Sequence, residues 1–181
     1  GINQKSIAAI IGTVSGVIVA GISALVFGHF AGISGLNVSD IESLNYVAQY
    51  CKLQIGGLLF AGIIISALGA VMDVGMSISS TIAEIHIKKP TATTKELFIS
   101  GIHVGRDMMG TMSNTLILAF VGGSITTLML NYAYNLPVNQ LMNSYNIGIE
   151  IMQGLSGSLG IVLTVPITAI ISAVMEKRQN R

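Results

Sequence analysis

The chain has 181 residues, of which 51% are hydrophobic and only 9% are charged, and its mean hydropathy is +0.74. Because a soluble globular domain carries about 25% charged residues, this composition excludes an ordinary water-exposed domain. The formal net charge is only +1, and the basic residues are not interleaved with stacking aromatic side chains, so we expect no nucleic-acid partner.

Long stretches without Asp, Glu, Lys or Arg predict the membrane spans. They cover residues 6–28, 53–72, 108–149 and 151–175. A helical span needs about 20 apolar residues, so the third stretch is too long for one span, and its asparagines between 131 and 146 indicate a polar loop. We therefore predict an all-α integral membrane bundle that forms one domain over residues 1–181. Its four transmembrane helices are predicted at 7–30, 55–85, 108–131 and 149–175.

The basic residues predict the orientation of these spans. All but Lys52 fall into three groups between the charge-free stretches. The groups are Lys5, then Lys88, Lys89, Lys95 and Arg106, and finally Lys177, Arg178 and Arg181. Lys and Arg concentrate in cytoplasmic loops. We therefore expect both termini and the 86–107 connection to be cytoplasmic, in contact with a lipid bilayer that the chain crosses several times.

Small residues recur at every fourth position of the first span. The row consists of Gly12, Gly16, Ala20, Ala24 and Gly28. Residues four apart lie on one helix face, and small side chains let two helix backbones approach closely. The row predicts contact with another helix, which belongs either to this chain or to a partner.

The connection between the second and third spans carries its own helix signal. Pro90 requires the second helix to end just before it. Thr93 and Glu96 then have the spacing of a capping box, which predicts that a helix begins there. We expect this helix to lie at the membrane surface as far as Gly101 or Gly105 and to bend there into the third span.

Two predicted spans carry polar residues at helical spacing, and these form the candidate transport or ion pathway. The set is Asp73, Ser77 and Glu84 in the second span, and Arg106, Asp107, Thr111 and Asn114 at the third. A carboxylate at the centre of a span costs about 2.5–3.5 kcal/mol on the insertion scale, so such residues usually face the bundle interior. The functional hypothesis is a proton or cation site between the two spans, formed by Asp73 and Asp107. The structural alternative is that Asp73 pairs with Arg106, or that both acids reach interfacial water.

Enzyme and metal signatures are absent from the sequence. It contains no G-x-S-x-G, H-E-x-x-H or C-x-x-C pattern. His29, His86 and His103 are scattered without the spacing of metal ligands. We expect no enzymatic activity, no metal site and no cofactor.

Four segments resemble the YibE/F-like family of bacterial membrane proteins. They are Ala67–Asp73, Ile82–Ile85, Lys95–Phe98 and Gly105–Leu116, of which the last is the most specific. The resemblance implies a multi-pass protein of the bacterial cytoplasmic membrane, with a related membrane protein or a second copy as its partner. It also implies that the chain is the C-terminal part of a longer multi-span protein. The resemblance implies no substrate.

Taken together, these features predict a membrane permease, or a permease subunit, that moves a small solute or ion with a proton or another cation as the coupling ion. The alternative is a structural or assembly subunit that transports nothing and uses the small-residue row of the first span to hold a partner.

Overall fold

The computed structural model of the protein describes residues 4–33 and 55–179, and every regular element in these ranges is an α-helix. The helices are α1 (Gln4–Phe30), α2 (Ile55–Lys88), α3 (Thr94–Gly123), α4 (Ile125–Ala133), α5 (Val138–Met142) and α6 (Tyr145–Gln179).

Three of these helices, α1, α2 and α6, are long and apolar enough to cross a membrane. Helices α3 and α4 pass the same test together, as a pair bent by 47° at Ser124. The prediction of an all-α integral membrane bundle is confirmed: three helices, or four if the bent pair is one span, are candidate membrane spans, and the protein is a multi-pass membrane protein in contact with a lipid bilayer.

Helix α6 lies at the centre of the bundle. It packs against α1, α2 and α3, and α2 also packs against α1 and α3, which lie on opposite sides of this central pair. Apolar residues of α2 that recur every three or four positions are fully buried: Val71, Val74, Ile78 and Ile82. This spacing places their side chains on one face of the helix, so the opposite face of α2 points out of the bundle.

The basic groups of the sequence meet at one end of the bundle, which we call the basic end. The Ser79 hydroxyl donates to the Lys5 carbonyl oxygen at 2.7 Å, which aligns the start of α1 with the end of α2. The Lys177 ammonium donates to the Pro90 and Ala92 carbonyl oxygens at 3.4 and 3.1 Å, which ties the end of α6 to the connection between α2 and α3.

The expected bend of α3 at Gly101 or Gly105 is wrong. Helix α3 runs without interruption from Thr94 to Gly123. Both glycines are buried where α3 crosses α2 and α6, and a Cβ atom at Gly101 would lie 2.7 Å from the Ile82 side chain. These glycines therefore permit close helix packing, and the bend falls instead at Ser124, after two exposed glycines.

Thr93 and Glu96 form the predicted capping box at the start of α3. The Glu96 N–H donates to the Thr93 hydroxyl oxygen at 3.2 Å, and the Thr93 N–H donates to Glu96 Oε2 at 2.7 Å. That backbone bond and the Lys89 ammonium, 3.0 Å from Oε1, lower the pKa of Glu96 from 4.5 to about 2. Glu96 lies in the exposed first turn at the basic end, outside the apolar part of the bundle.

We expect Thr93→Ala to fray the first turn of α3 and to lower stability by about 0.5–2 kcal/mol. Because the folded pKa of Glu96 is depressed, the stability from its carboxylate is present above about pH 4.5 and is lost as the pH falls toward about 2. Hydrogen exchange at residues 94–97, followed across this pH range, measures both effects. Thr94→Ala is the matched control, and an acid-induced loss of protection that persists in Glu96→Gln would contradict the assignment.

Candidate functional site

The helix contacts give the level of Asp73 along the axis of the bundle. A Cβ atom at Gly16 of α1 would meet Val71, and one at Gly75 would meet Ala9 and Thr13. Asp73 is therefore level with about residue 14 of α1, which is about 4–5 Å along the axis from the middle of that helix. A bilayer centred on α1 extends about 15 Å to either side of its middle, so Asp73 lies well inside the hydrocarbon region.

Asp107 lies at a similar depth on α3. Gly105 of α3 packs against Ile78 of α2. A Cβ atom at Gly157 of α6 would meet both Leu116 of α3 and Ala67 of α2, so these two residues lie level with each other. Interpolating between these contacts puts Asp107 level with about residue 76 of α2, which is only about 4–5 Å closer to the basic end than Asp73. The two acids thus belong to neighbouring helices and nearly the same layer of the membrane.

Both carboxylates point away from the bundle interior. Asp73 and Asp107 are exposed, as are Thr111 and Asn114, whereas the core faces of α2 and α3 are apolar. We call Asp73, Asp107, Thr111 and Asn114 the outer polar face. Its position differs from the expected interior site, because the core between α2, α3 and α6 is already filled by residues such as Val74, Ile78 and Val165.

The acids of the outer polar face have no partner in the described parts of the chain. Asp73 forms no ion pair with Arg106, and neither Asp107 nor Asn114 makes a side-chain hydrogen bond there. Arg106 is exposed but precedes Asp107 by one residue, so the two side chains leave α3 about 100° apart. The Thr111 hydroxyl donates to the Asp107 carbonyl oxygen at 3.4 Å and leaves the carboxylate untouched.

The other two predicted pathway residues have more ordinary surroundings. Ser77 is half-buried on α2, and its carbonyl oxygen accepts a hydrogen bond from the Thr81 hydroxyl at 2.8 Å. Glu84 is exposed near the basic end, 3.2 Å from the Lys88 ammonium in an i,i+4 pair. Such a surface pair contributes little to stability, and Glu84 does not share the depth of the outer polar face.

The small-residue row of α1 lies against α6. Gly12 faces Thr168, and Gly16 faces Thr164 and Val71. The glycine backbone of α1 is therefore in direct contact with the threonine hydroxyls of α6. The other members, Ala20, Ala24 and Gly28, are also buried, and Gly28 faces Met152 of α6. Within the described ranges this row is therefore covered by the chain itself.

Sequence reasoning missed the row of α6 that opposes these glycines. Thr164, Thr168 and Ser172 are fully buried and recur every four residues, the same period as the glycines of α1. Thr164 donates to the Gly160 carbonyl oxygen at 2.7 Å, whereas the hydroxyls of Thr168 and Ser172 have no hydrogen-bond partner among the described residues. The sequence did contain a signal for this contact, because the small residues of α1 and the hydroxyl residues of α6 both recur every four positions.

The candidate site was also compared with the requirements of metal sites, and the chain with known proteins. Among residues 4–33 and 55–179, no three His, Cys, Asp or Glu side chains are grouped so that they could hold a metal ion. No curated protein and no solved structure matches the chain. The family model of the YibE/F-like proteins matches residues 1–178, well beyond the 67–118 region that carried the resemblance, so the chain belongs to the YibE/F-like family.

Proposed function

We propose that the protein is a membrane permease, or a permease subunit, that moves a small solute or ion, and that Asp73 and Asp107 bind its coupling proton or cation. The observation that carries this proposal is the pair of partnerless carboxylates at nearly one depth on two neighbouring spans. Ionisable groups within spans are costly, and they mark ion pathways and proton relays in pumps and transporters.

The outward direction of these side chains says where the pathway would run. Carboxylates that face lipid within the hydrocarbon region carry an insertion cost, which is greatest at its centre, so a second membrane segment or a water-filled cleft should cover the outer polar face. In this proposal the segment comes from a related membrane protein or a second copy of the chain, and the pathway lies between it and α2 and α3. Ser77, Arg106, Thr111 and Asn114 would provide its further polar groups, and the basic end would face the cytoplasm of a bacterium.

Proton flux in liposomes tests the role of the acids. The protein is reconstituted with any partner that co-purifies, and internal pH is followed under an imposed proton gradient. We expect wild-type flux above that of empty liposomes, and we expect Asp73→Asn and Asp107→Asn to reduce it to that background, because an amide cannot carry a proton. Glu176→Gln, which removes a carboxylate of α6 at the basic end, is the matched control and should retain the flux. Flux that survives both aspartate substitutions would refute the assigned roles.

The same exposure favours one other function, that of an assembly subunit without a pathway. The outer polar face would then hold a helix of another membrane protein through hydrogen bonds within the bilayer. In that case Asp73→Asn would release the partner during purification, and neither the variant nor the wild type would conduct protons.

A further inference from the structure

A cavity of about 410 Å³ lies far from the basic end, where α3 breaks into α4, and it is lined by residues of α3, α4, α5 and α6. Most of its wall is apolar, and this part includes Ile117, Phe120, Leu128 and Leu155. Its size falls within the range of about 300–1,000 Å³ that is usual for small-molecule sites. The cavity does not overlap the outer polar face.

Ser124 at the break and Glu150 on α6 also line this cavity, but they contribute almost no polar surface to its wall. Glu150 Oε2 and Ser124 Oγ are both inaccessible to solvent and have no hydrogen-bond partner among the described residues. A second cavity, of about 190 Å³, is also lined by Ser124 and Glu150. The carboxylate therefore lies where the two spaces meet, and buried polar atoms of this kind need a partner.

Glu150 does not serve as a cap for the neighbouring helix. Helix α4 begins at Ile125 directly after Ser124, but its cap has no side-chain hydrogen bond. No ion pair accounts for the carboxylate either, since both ion pairs found in residues 4–33 and 55–179 lie near the basic end. Arg106 on α3 is too distant to pair with Glu150, because it precedes Ser124, which lines the same cavity as Glu150, by 18 residues or about 27 Å of helix. The charge of Glu150 is thus uncompensated in the part of the chain that the structure describes.

We propose that the two cavities together bind an organic monocation, whose ammonium group reaches the Glu150 carboxylate from the smaller, more polar cavity and whose apolar body lies against the wall formed by Phe120, Leu128 and Leu155. A single carboxylate suits an ammonium, whereas Ca²⁺ takes six to eight oxygen ligands and Mg²⁺ six. The apolar wall accounts for the rest of the molecule through the burial of apolar surface. The inference is independent of the proposed transport. The ammonium can belong to a free amine or to the headgroup of phosphatidylethanolamine.

A pair of isosteric probes tests the charge requirement. One is 4-phenylbutylammonium, and the other is pentylbenzene, in which a methyl group replaces the ammonium. The full chain is studied in uncharged maltoside micelles by calorimetry, with the signal of empty micelles subtracted. We expect the cation to bind the wild type and to bind Glu150→Gln about 10- to 100-fold more weakly, in line with the strength of hydrogen bonds to charged groups. Glu176→Gln, which alters another carboxylate of α6 at the basic end, should bind like the wild type.

A cavity-filling variant separates the cavity from other surfaces. A Cβ atom at Gly154 would lie 3.8 Å from Ile117 and Phe120, an ordinary contact distance, so Gly154→Leu is expected to fold and to lose binding of the cation. Added phosphatidylethanolamine should weaken cation binding if the lipid headgroup is the source of the ammonium, and should leave it unchanged if a free amine is. Equal binding of the two probes, or unchanged cation binding in Glu150→Gln or in folded Gly154→Leu, would overturn the proposal.

Discussion

Replacing Gly16 with leucine is expected to prevent α1 from packing against α6 and α2. Gly16 is buried at the crossing of α1 and α6, and a Cβ atom there would collide with the Thr164 hydroxyl and lie 2.7 Å from Val71 Cγ1. Thr164 and Val71 are β-branched side chains fixed within helices, so neither can move aside cheaply. Even Gly16→Ala should cost about 1–3 kcal/mol, the usual cost of overpacking, and leucine adds three more carbons to the same space.

The measurement is the free energy of unfolding in mixed micelles, followed by the loss of helical circular dichroism as sodium dodecyl sulfate is added. Gly69→Leu is the matched control, because Gly69 lies on the exposed face of α2 and a Cβ atom there would meet nothing within 4 Å. We expect the control to unfold like the wild type. If Gly16→Leu did the same, α1 and α6 could not be in the close contact described above.

The order and type of the helices could be predicted from the sequence because each depends on local features. Stretches without charge mark the spans, Pro90 lies two residues after Lys88, the last residue of α2, and the Thr93–Glu96 box starts α3. The glycine row of α1 was likewise visible, since its period of four is a property of one helix. None of these features required knowledge of which helix packs against which.

The surroundings of the candidate residues could not be predicted, because they depend on how the helices pair. Asp73 shares α2 with the buried Val71 and Val74, and only the positions of α1, α3 and α6 decide which face of the helix is covered. The surroundings of Glu150 could not be predicted either, because its position in the sequence indicates only the charged end of a span. Its buried oxygen becomes notable only because α3 bends at Ser124, so that residues of α4 line the same cavities as Glu150.

A cysteine at position 114 is expected to distinguish a water-filled pathway from a covered face. The substitution is made in a chain whose only cysteine, Cys51, is replaced by serine. Asn114 is exposed on α3, about two turns beyond Asp107. If the outer polar face lines a pathway, a thiol there meets water and forms the reactive thiolate. A membrane-impermeant methanethiosulfonate should then modify it at least about tenfold faster than a thiol surrounded by lipid.

Ile65→Cys provides the lipid-facing reference for this comparison. Ile65 is 70% exposed on α2, lies about one helical turn from the level of Asn114, and is flanked by no charged residue. Fast modification of Asn114→Cys alone would place water beside the two carboxylates and support a permease. Slow modification at both positions means that lipid or a closely packed protein segment excludes water from the outer polar face. Because the proposed pathway needs water between this face and the segment that covers it, that result would reject the pathway and leave the assembly subunit as the function that the exposed acids support.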